Sequence, residues 1–366
     1  MIEIFLSCIA SSVLLLISGN LFCTYFLNQN IYENCKFYEN SLFGIICLSF
    51  LALIINFIAP LSKIIGTTLF LGSFILFIIY LLKSKYKKNL LLYIFYTSTI
   101  TFFLIFLSNI NRPDAGLYHL PYTSLVNESK IILGSTNIHF RFGHISIMQY
   151  VSAIYNNYLF STSIITIPLA SLVSVFFVYL VKEFYLLFNL KRSISILIFL
   201  ILIFSIFNFN RYSSLGNDAP AHIYFFLLII YFLKINILSE CDKITFFKIC
   251  IISIFLATLK LFLTITLIIP TIIFLASRYK KGITFNKSIL IFSVLGLFWL
   301  LKNVLVSGCL FYPVQKTCFK SLVYYDHEQT KEAEYAGEAW AKGWSDQKGE
   351  ILKYEDYNKN FNWFKT

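Results

Sequence analysis

FFKICIISIFLATLKLFLTITLIIPTIIFLAS, residues 246–277, is a run of thirty-two residues with few polar side chains. As one α-helix it would be roughly 48 Å long at 1.5 Å per residue, whereas a bilayer core needs only about 20 residues. A single untilted pass cannot use that length. Lys260 stands near the middle of the run, and Pro270 follows it. A charge is expensive at the bilayer centre, and Pro interrupts a helix. The run is therefore expected to form two short helices or a re-entrant hairpin that starts and ends on one side. Irregular backbone is tolerated at that depth when protein surrounds it.

The rest of the chain reads the same way. Apolar runs of spanning length lie near 4–27, 41–59, 64–82, 89–108, 161–181, 193–208, 219–239 and 288–306. Of the 366 residues, 58% are hydrophobic and 13% are charged, with a mean hydropathy of +0.74. Soluble domains carry about 25% charged residues. One globular core could not bury this much apolar surface, which excludes a soluble enzyme, a disordered chain and a disulfide scaffold. The expected fold class is all-α, a polytopic transmembrane helix bundle of about 8 full spans plus one broken or re-entrant pair. The bundle is expected over residues 1–306 and an outer-face tail over 307–366. The first run lacks a basic leader segment, so no cleavable signal is expected.

The net charge of +12 invites a nucleic-acid partner, but its distribution argues against one. Lys83, Lys85, Lys87 and Lys88 follow the third span; Lys182, Lys191 and Arg192 follow the fifth. Lys243 and Lys248 follow the seventh, and Arg278, Lys280, Lys281 and Lys287 follow the hairpin. All four clusters fall on one face if 246–277 returns to its own side, and the positive-inside rule makes that face cytoplasmic. Membrane lipids, and no nucleic acid, are the partners this pattern implies. The opposite face then receives 109–160, 209–218 and the tail, so the polar groups are expected to gather on one side.

The segment NINRPDAGLYHLPYTSLVNESKIILGSTNIHFRFGHISIMQYVSAIYNNY, 109–158, is far longer than the 2–8 residues that a helix connector needs. Pro113 and Asp114 suit a helix start, and Gly134 a helix stop. A second short helix is expected near His144. These short helices would lie along the interface as a roof over the bundle. A carboxylate there, Asp114, can act as general base or hold a divalent cation against a phosphate; the plain alternative is a helix cap. His119 and Tyr118 lie close by in sequence, and Arg141 offers a planar fork for phosphate oxygens. His139 and His144 are weaker candidates, equally at home as packing residues. No HExxH or CxxC arrangement is present.

Asp218 opens the seventh span after the polar stretch RYSSLGNDAPAH, 211–222, in which Arg211 could bind an anion. Asp218 is read either as a cap or as a second acid meeting Asp114 across a cleft. Lys260 would sit near the hairpin turn, either neutralising a lipid-linked phosphate or snorkelling to a polar surface. Lys302 and Asn303, late in the last span, would lie near the outer surface. Cys309 and Cys318 flank the turn in SGCLFYP and could close a small loop by a disulfide in an oxidising compartment, or remain two thiols.

Taken in order, PDAGLYHLP (113–121), GSTNIHFRFG (134–143), GNDAPA (216–221), ATLKLF (257–262) and KNVLVSGCLFYP (302–313) resemble the GT-C class of polytopic glycosyltransferases. The likeness covers roughly 89–320 and is narrowest to bacterial members of cell-surface polysaccharide synthesis. It implies a GT-C-like fold in the bacterial inner membrane with its active face periplasmic. It also implies a polyprenyl-phosphate-linked sugar donor and a glycan or lipid acceptor, with inversion at the sugar. Asp114 matches the outer-loop acid, the position that would hold a divalent metal (Mg or Mn), and Asp218 the second acid. Lys260 and Arg211 are the donor-phosphate candidates. No DxD or DE pair stands at 114, and the chain stops soon after the YP turn. A transporter or flippase, a polymerase of a surface polysaccharide precursor, and a scaffold are the alternatives. A transporter would favour inverted repeats and discontinuous helices in both halves, and only one discontinuous element is read here.

Overall fold

A computed structural model describes residues 1–366 except 31, 33–35, 108–113, 209–215, 239–242, 282–286, 348–350 and 365–366. The regular elements among the described residues are all helices, without a strand. The α-helices are α1 (Ile2–Leu27), α2 (Phe37–Ile58), α3 (Lys63–Lys83), α4 (Lys87–Phe106), α5 (Leu120–Glu128), α6 (Met148–Ile154) and α7 (Ile167–Asn189). They continue as α8 (Ile194–Phe207), α9 (Asp218–Leu238), α10 (Lys243–Leu259), α11 (Ile268–Lys281), α12 (Lys287–Ser307), α13 (His327–Ala341) and α14 (Tyr354–Asn358). Helices thus occupy each stretch expected to span. Six of them, α1 to α4, α7 and α9, are long and apolar enough to cross a membrane; the apolar helices within α8, 261–276 and 293–307 are shorter.

Packing divides the chain into two compact units, Met1–Lys130 with Ser146–Gly296, and Ile131–Ile145 with Leu297–Thr366. This division follows contact density, whereas the boundary expected at 306 follows membrane insertion.

In the first unit α1 and α2 approach backbone to backbone. A Cβ on Gly19 would stand 1.8 Å from the Asn40 carbonyl oxygen, and one on Gly44 would stand 2.0 Å from that of Leu15. Small residues permit this contact where the lipid is as apolar as the protein and burial alone does not hold helices together. Hydroxyls add directional bonds. Ser11 lies 2.6 Å from the Tyr155 hydroxyl and 2.7 Å from Ser171, and Thr101 lies 2.7 Å from Ser174. Helix α5 is tied to its neighbours by Asn127, whose Nδ2 donates to the carbonyls of Leu61 (2.6 Å) and Ala153 (2.8 Å).

The run 246–277 folds as a hairpin. Helix α10 ends at Leu259, and Lys260 is extended at φ −148°. A 3-10 stretch, Leu261–Leu267, then packs back along α10, with Thr266 Oγ1 donating to the Ser253 carbonyl at 3.5 Å. Pro270 falls in the first turn of α11, where a missing N–H is no loss.

In the second unit, the segment 131–145 lies against the end of α12. Gly134 N donates to Leu305 O at 2.9 Å, and Thr136 Oγ1 donates to Val306 O at 3.2 Å. Gly134 does not stop a helix as expected. Helix α5 already ends at Glu128, because Ser129 turns to extended backbone, and Gly134 at φ +62° instead caps a short 3-10 turn over Ser135–Asn137. A Cβ there would stand 2.7 Å from Tyr324 Cβ. The helix expected near His144 begins later, at Met148, while His144 closes a 3-10 turn. Cys309 and Cys318 are joined by a disulfide and bracketed by Leu310 N donating to Thr317 O and Phe319 N to Gly308 O.

Candidate functional site

One end of the first unit gathers polar side chains from four elements. Asp114 is exposed and opens a π-helical stretch, Ala115–His119, that runs directly into α5. Wide helical turns of this kind are frequent at functional sites. Gly116 has open space around it. Five residues after Asp114, His119 is buried at 3% exposure, with the Tyr118 ring 4.2 Å from its own.

From α6, Gln149 reaches both sides of this group. Its Nε2 lies 2.8 Å from His119 Nδ1 and donates to Asn217 Oδ1 at 3.0 Å. With Nε2 donating, His119 Nδ1 is the acceptor and carries no proton. Both bonds fall on the amide nitrogen, so Gln149 Oε1, in a residue 3% exposed, has no partner among the described residues. A buried oxygen without a bond costs free energy and offers an acceptor to an incoming hydroxyl.

Asn217 directly precedes Asp218, the first residue of α9. Asp218 accepts from Lys260 Nζ at the break after α10. The break itself supplies the reach: an extended Lys260 leaves the helix axis, and Ile147 N, just before α6, donates to Thr258 O at 3.3 Å. The structure thus links His119, Gln149, Asn217, Asp218 and Lys260 in sequence. Asp114 stands five residues before His119, at the head of the same helical segment. Arg211, expected beside Asp218, lies outside the described residues, as do Arg112 and Pro113.

His139, Arg141 and His144 belong to the second unit. His139 Nδ1 accepts from Arg141 N at 3.2 Å, and the Arg141 guanidinium lies 5.7 Å from the centre of the Phe140 ring. Desolvation, then the Arg141 charge, holds the His139 imidazole below its ordinary pKa. The His144 ring stands 5.2 Å from that of Tyr312. Gly143 admits this contact, since a Cβ there would meet the Tyr312 ring at 2.3 Å. Lys302, fully buried, faces the Trp299 ring at 3.7 Å.

Among the described residues no three His, Cys, Asp or Glu side chains come together.

The sequence reading missed two features. The amides Gln149 and Asn217 carry no charge to draw attention, although they hold the cluster together. The second is an ionic group on α2, α9 and α10. Glu39 accepts from both Lys248 Nζ and the Tyr231 hydroxyl, with Lys36 Nζ 3.7 Å away. Glu39 and Lys248 are 4% and 5% exposed, so Lys248 is no member of a surface cluster: the buried carboxylate draws it inward. Lys248 and Lys260 are 12 residues apart, roughly 18 Å along a helix, so the two ionic groups sit toward opposite ends of α10 and the polar groups do not all gather at one end. A lone Glu bordering an apolar run was the available signal.

These features define a multi-pass helical membrane protein with a partly buried polar cluster at one end of its α9–α10 pair. The chain belongs to the family described as Domain of unknown function (DUF8201), whose model matches residues 1–366. No curated protein and no solved structure matches it.

Proposed function

We propose that the protein is a glycosyltransferase of the GT-C type. It would move a sugar from a polyprenyl-phosphate donor to a cell-surface glycan or lipid acceptor, on the periplasmic face of a bacterial inner membrane. The observation that carries this reading is the linked set His119–Gln149–Asn217–Asp218–Lys260, assembled at helix breaks at one end of the α9–α10 pair. Asp114, exposed at the head of the π-helical stretch, takes the proton of the acceptor hydroxyl. The acceptor oxygen bonds to the anomeric carbon as the bond from that carbon to the lipid phosphate oxygen breaks, and the phosphate leaves with the electron pair. Lys260, held by Asp218, offsets part of its charge. Gln149 Oε1 accepts a hydroxyl and orients it. The experiment is transfer of labelled sugar in membranes carrying Asp114→Asn, which is expected to abolish transfer while leaving insertion intact.

A second reading, transport of a polysaccharide precursor, draws on one observation. The ionic group at Glu39, Lys248 and Tyr231 supplies buried charge toward the other end of α10, as a route across the membrane would need. Under that reading Glu39→Gln would stop export of the precursor, and Asp114→Asn would leave sugar transfer unchanged.

A further inference from the structure

The second unit contains a cavity of about 620 Å3 between α13 and the segment leading into α14. That volume is within the range of pockets that hold small molecules, about 300–1,000 Å3. Glu328, Glu332 and Tyr335 line one wall; their spacing of four and three residues places them on one face of α13. Trp344 and Tyr354 form the other wall, their rings 4.7 Å apart at 58°. This wall is fixed internally. Trp344 Nε1 donates to Leu352 O at 2.7 Å, the Tyr357 hydroxyl donates to Lys342 O at 3.0 Å, and Asn358 Nδ2 donates to Tyr335 O at 2.9 Å. Glu355, also lining the cavity, is engaged with Lys359 at 2.9 Å. Glu328 and Glu332 form no ion pair among the described residues.

We propose that this groove binds a saccharide. Locked aromatic rings present flat apolar faces at little entropic cost, which suits the C–H face of a sugar ring. Two carboxylates one helical turn apart, each with two acceptor oxygens, suit adjacent sugar hydroxyls, every one of which is a donor. Lys331 and Lys353 stand in the lining beside the acids, so no strong field of one sign selects a polyanion or a polycation. The inference goes beyond the transfer reaction: the groove binds its saccharide whether or not the bundle transfers one.

The test uses the full chain in detergent micelles. Saturation-transfer NMR would be run with chitotetraose and maltotetraose, and with a Gly-Ser decapeptide as competitor class. At least one tetrasaccharide is expected to bind saturably with Kd of about 1 mM or tighter. Trp344→Phe and the double variant Glu328→Gln/Glu332→Gln should each weaken it about tenfold, the double variant without moving the melting temperature. If Trp344→Phe disturbs the fold, the double variant, which alters exposed carboxylates only, decides. Absence of transfer to both tetrasaccharides at about 10 mM, affinity unchanged in the double variant, or binding of the peptide alone would overturn the proposal. Loss of glycosyl transfer in Asp114→Asn bears on the bundle and leaves this result untouched.

Discussion

Lys260 and Asp218, 42 residues apart in sequence, form an ion pair that closes the break after α10 onto the start of α9. Both side chains keep about a third of their surface exposed, 31% for Lys260 and 39% for Asp218. A pair this open contributes little to stability, on the order of 1 kcal/mol or less. Its value is positional. Lys260→Met and Asp218→Asn are therefore expected to shift thermal unfolding only slightly while each cuts transfer at least about tenfold. The exchange Asp218→Lys/Lys260→Asp should recover more than either single variant. Equal unfolding losses and transfer losses, with no recovery, would make the pair merely structural.

The ionic group at the other end of α10 should behave in the opposite way. Glu39 and Lys248 retain only 6% side-chain exposure each. Removing one partner of a sealed pair strands the other charge, at a cost of about 3–5 kcal/mol. Glu39→Gln is expected to lower the unfolding temperature strongly in micelles, and Glu39→Gln/Lys248→Met to regain most of the loss. A single variant as stable as the parent would show that the pair does not hold α2 to α10.

The α1–α2 contact offers a steric test. With the Asn40 carbonyl 1.8 Å from an added Cβ, Gly19→Ala must part the two backbones. Overpacking of this kind costs about 1–3 kcal/mol. Gly72→Ala, at a glycine with open space around it in α3, should be neutral or slightly stabilising. Equal effects of the two on unfolding would contradict the packing described.

His144 gives the second unit a pH dependence. Desolvation, then Arg141 and Lys302, push its imidazole from 6.5 down to about 4. The unfolded chain therefore binds the proton first as pH falls. Stability from this residue is present above pH 6.5 and is lost as pH drops from there toward 4. His144 is exposed, so solvent screening makes the effect small. Unfolding followed across this range should show a positive slope that His144→Asn flattens.

Apolar run length located the helices, because twenty residues of hydrocarbon contact leave an unmistakable pattern. The same reading anticipated a fold-back between 246 and 277, since length and an internal Lys forbid one straight pass. It could not give the partner of Lys260, which depends on how α9 is placed against α10. Nor could it find Gln149, a neutral amide whose role exists only once α6 lies beside His119. Gly134 misled because Gly serves turns as readily as helix ends; only the extended Ser129 backbone shows where α5 stops. Glu39 sat beside an apolar run in plain view, yet its burial depends on Lys248 more than two hundred residues away.

Under the proposed function Asp114 takes the acceptor proton in sugar transfer. The most direct measurement is incorporation of labelled sugar from polyprenyl-phosphate donors into acceptor, in membranes holding matched amounts of parent protein and Asp114→Asn. The account predicts incorporation by the parent and a fall of about a thousandfold or more in the variant. Incorporation in the variant equal to the parent would contradict it.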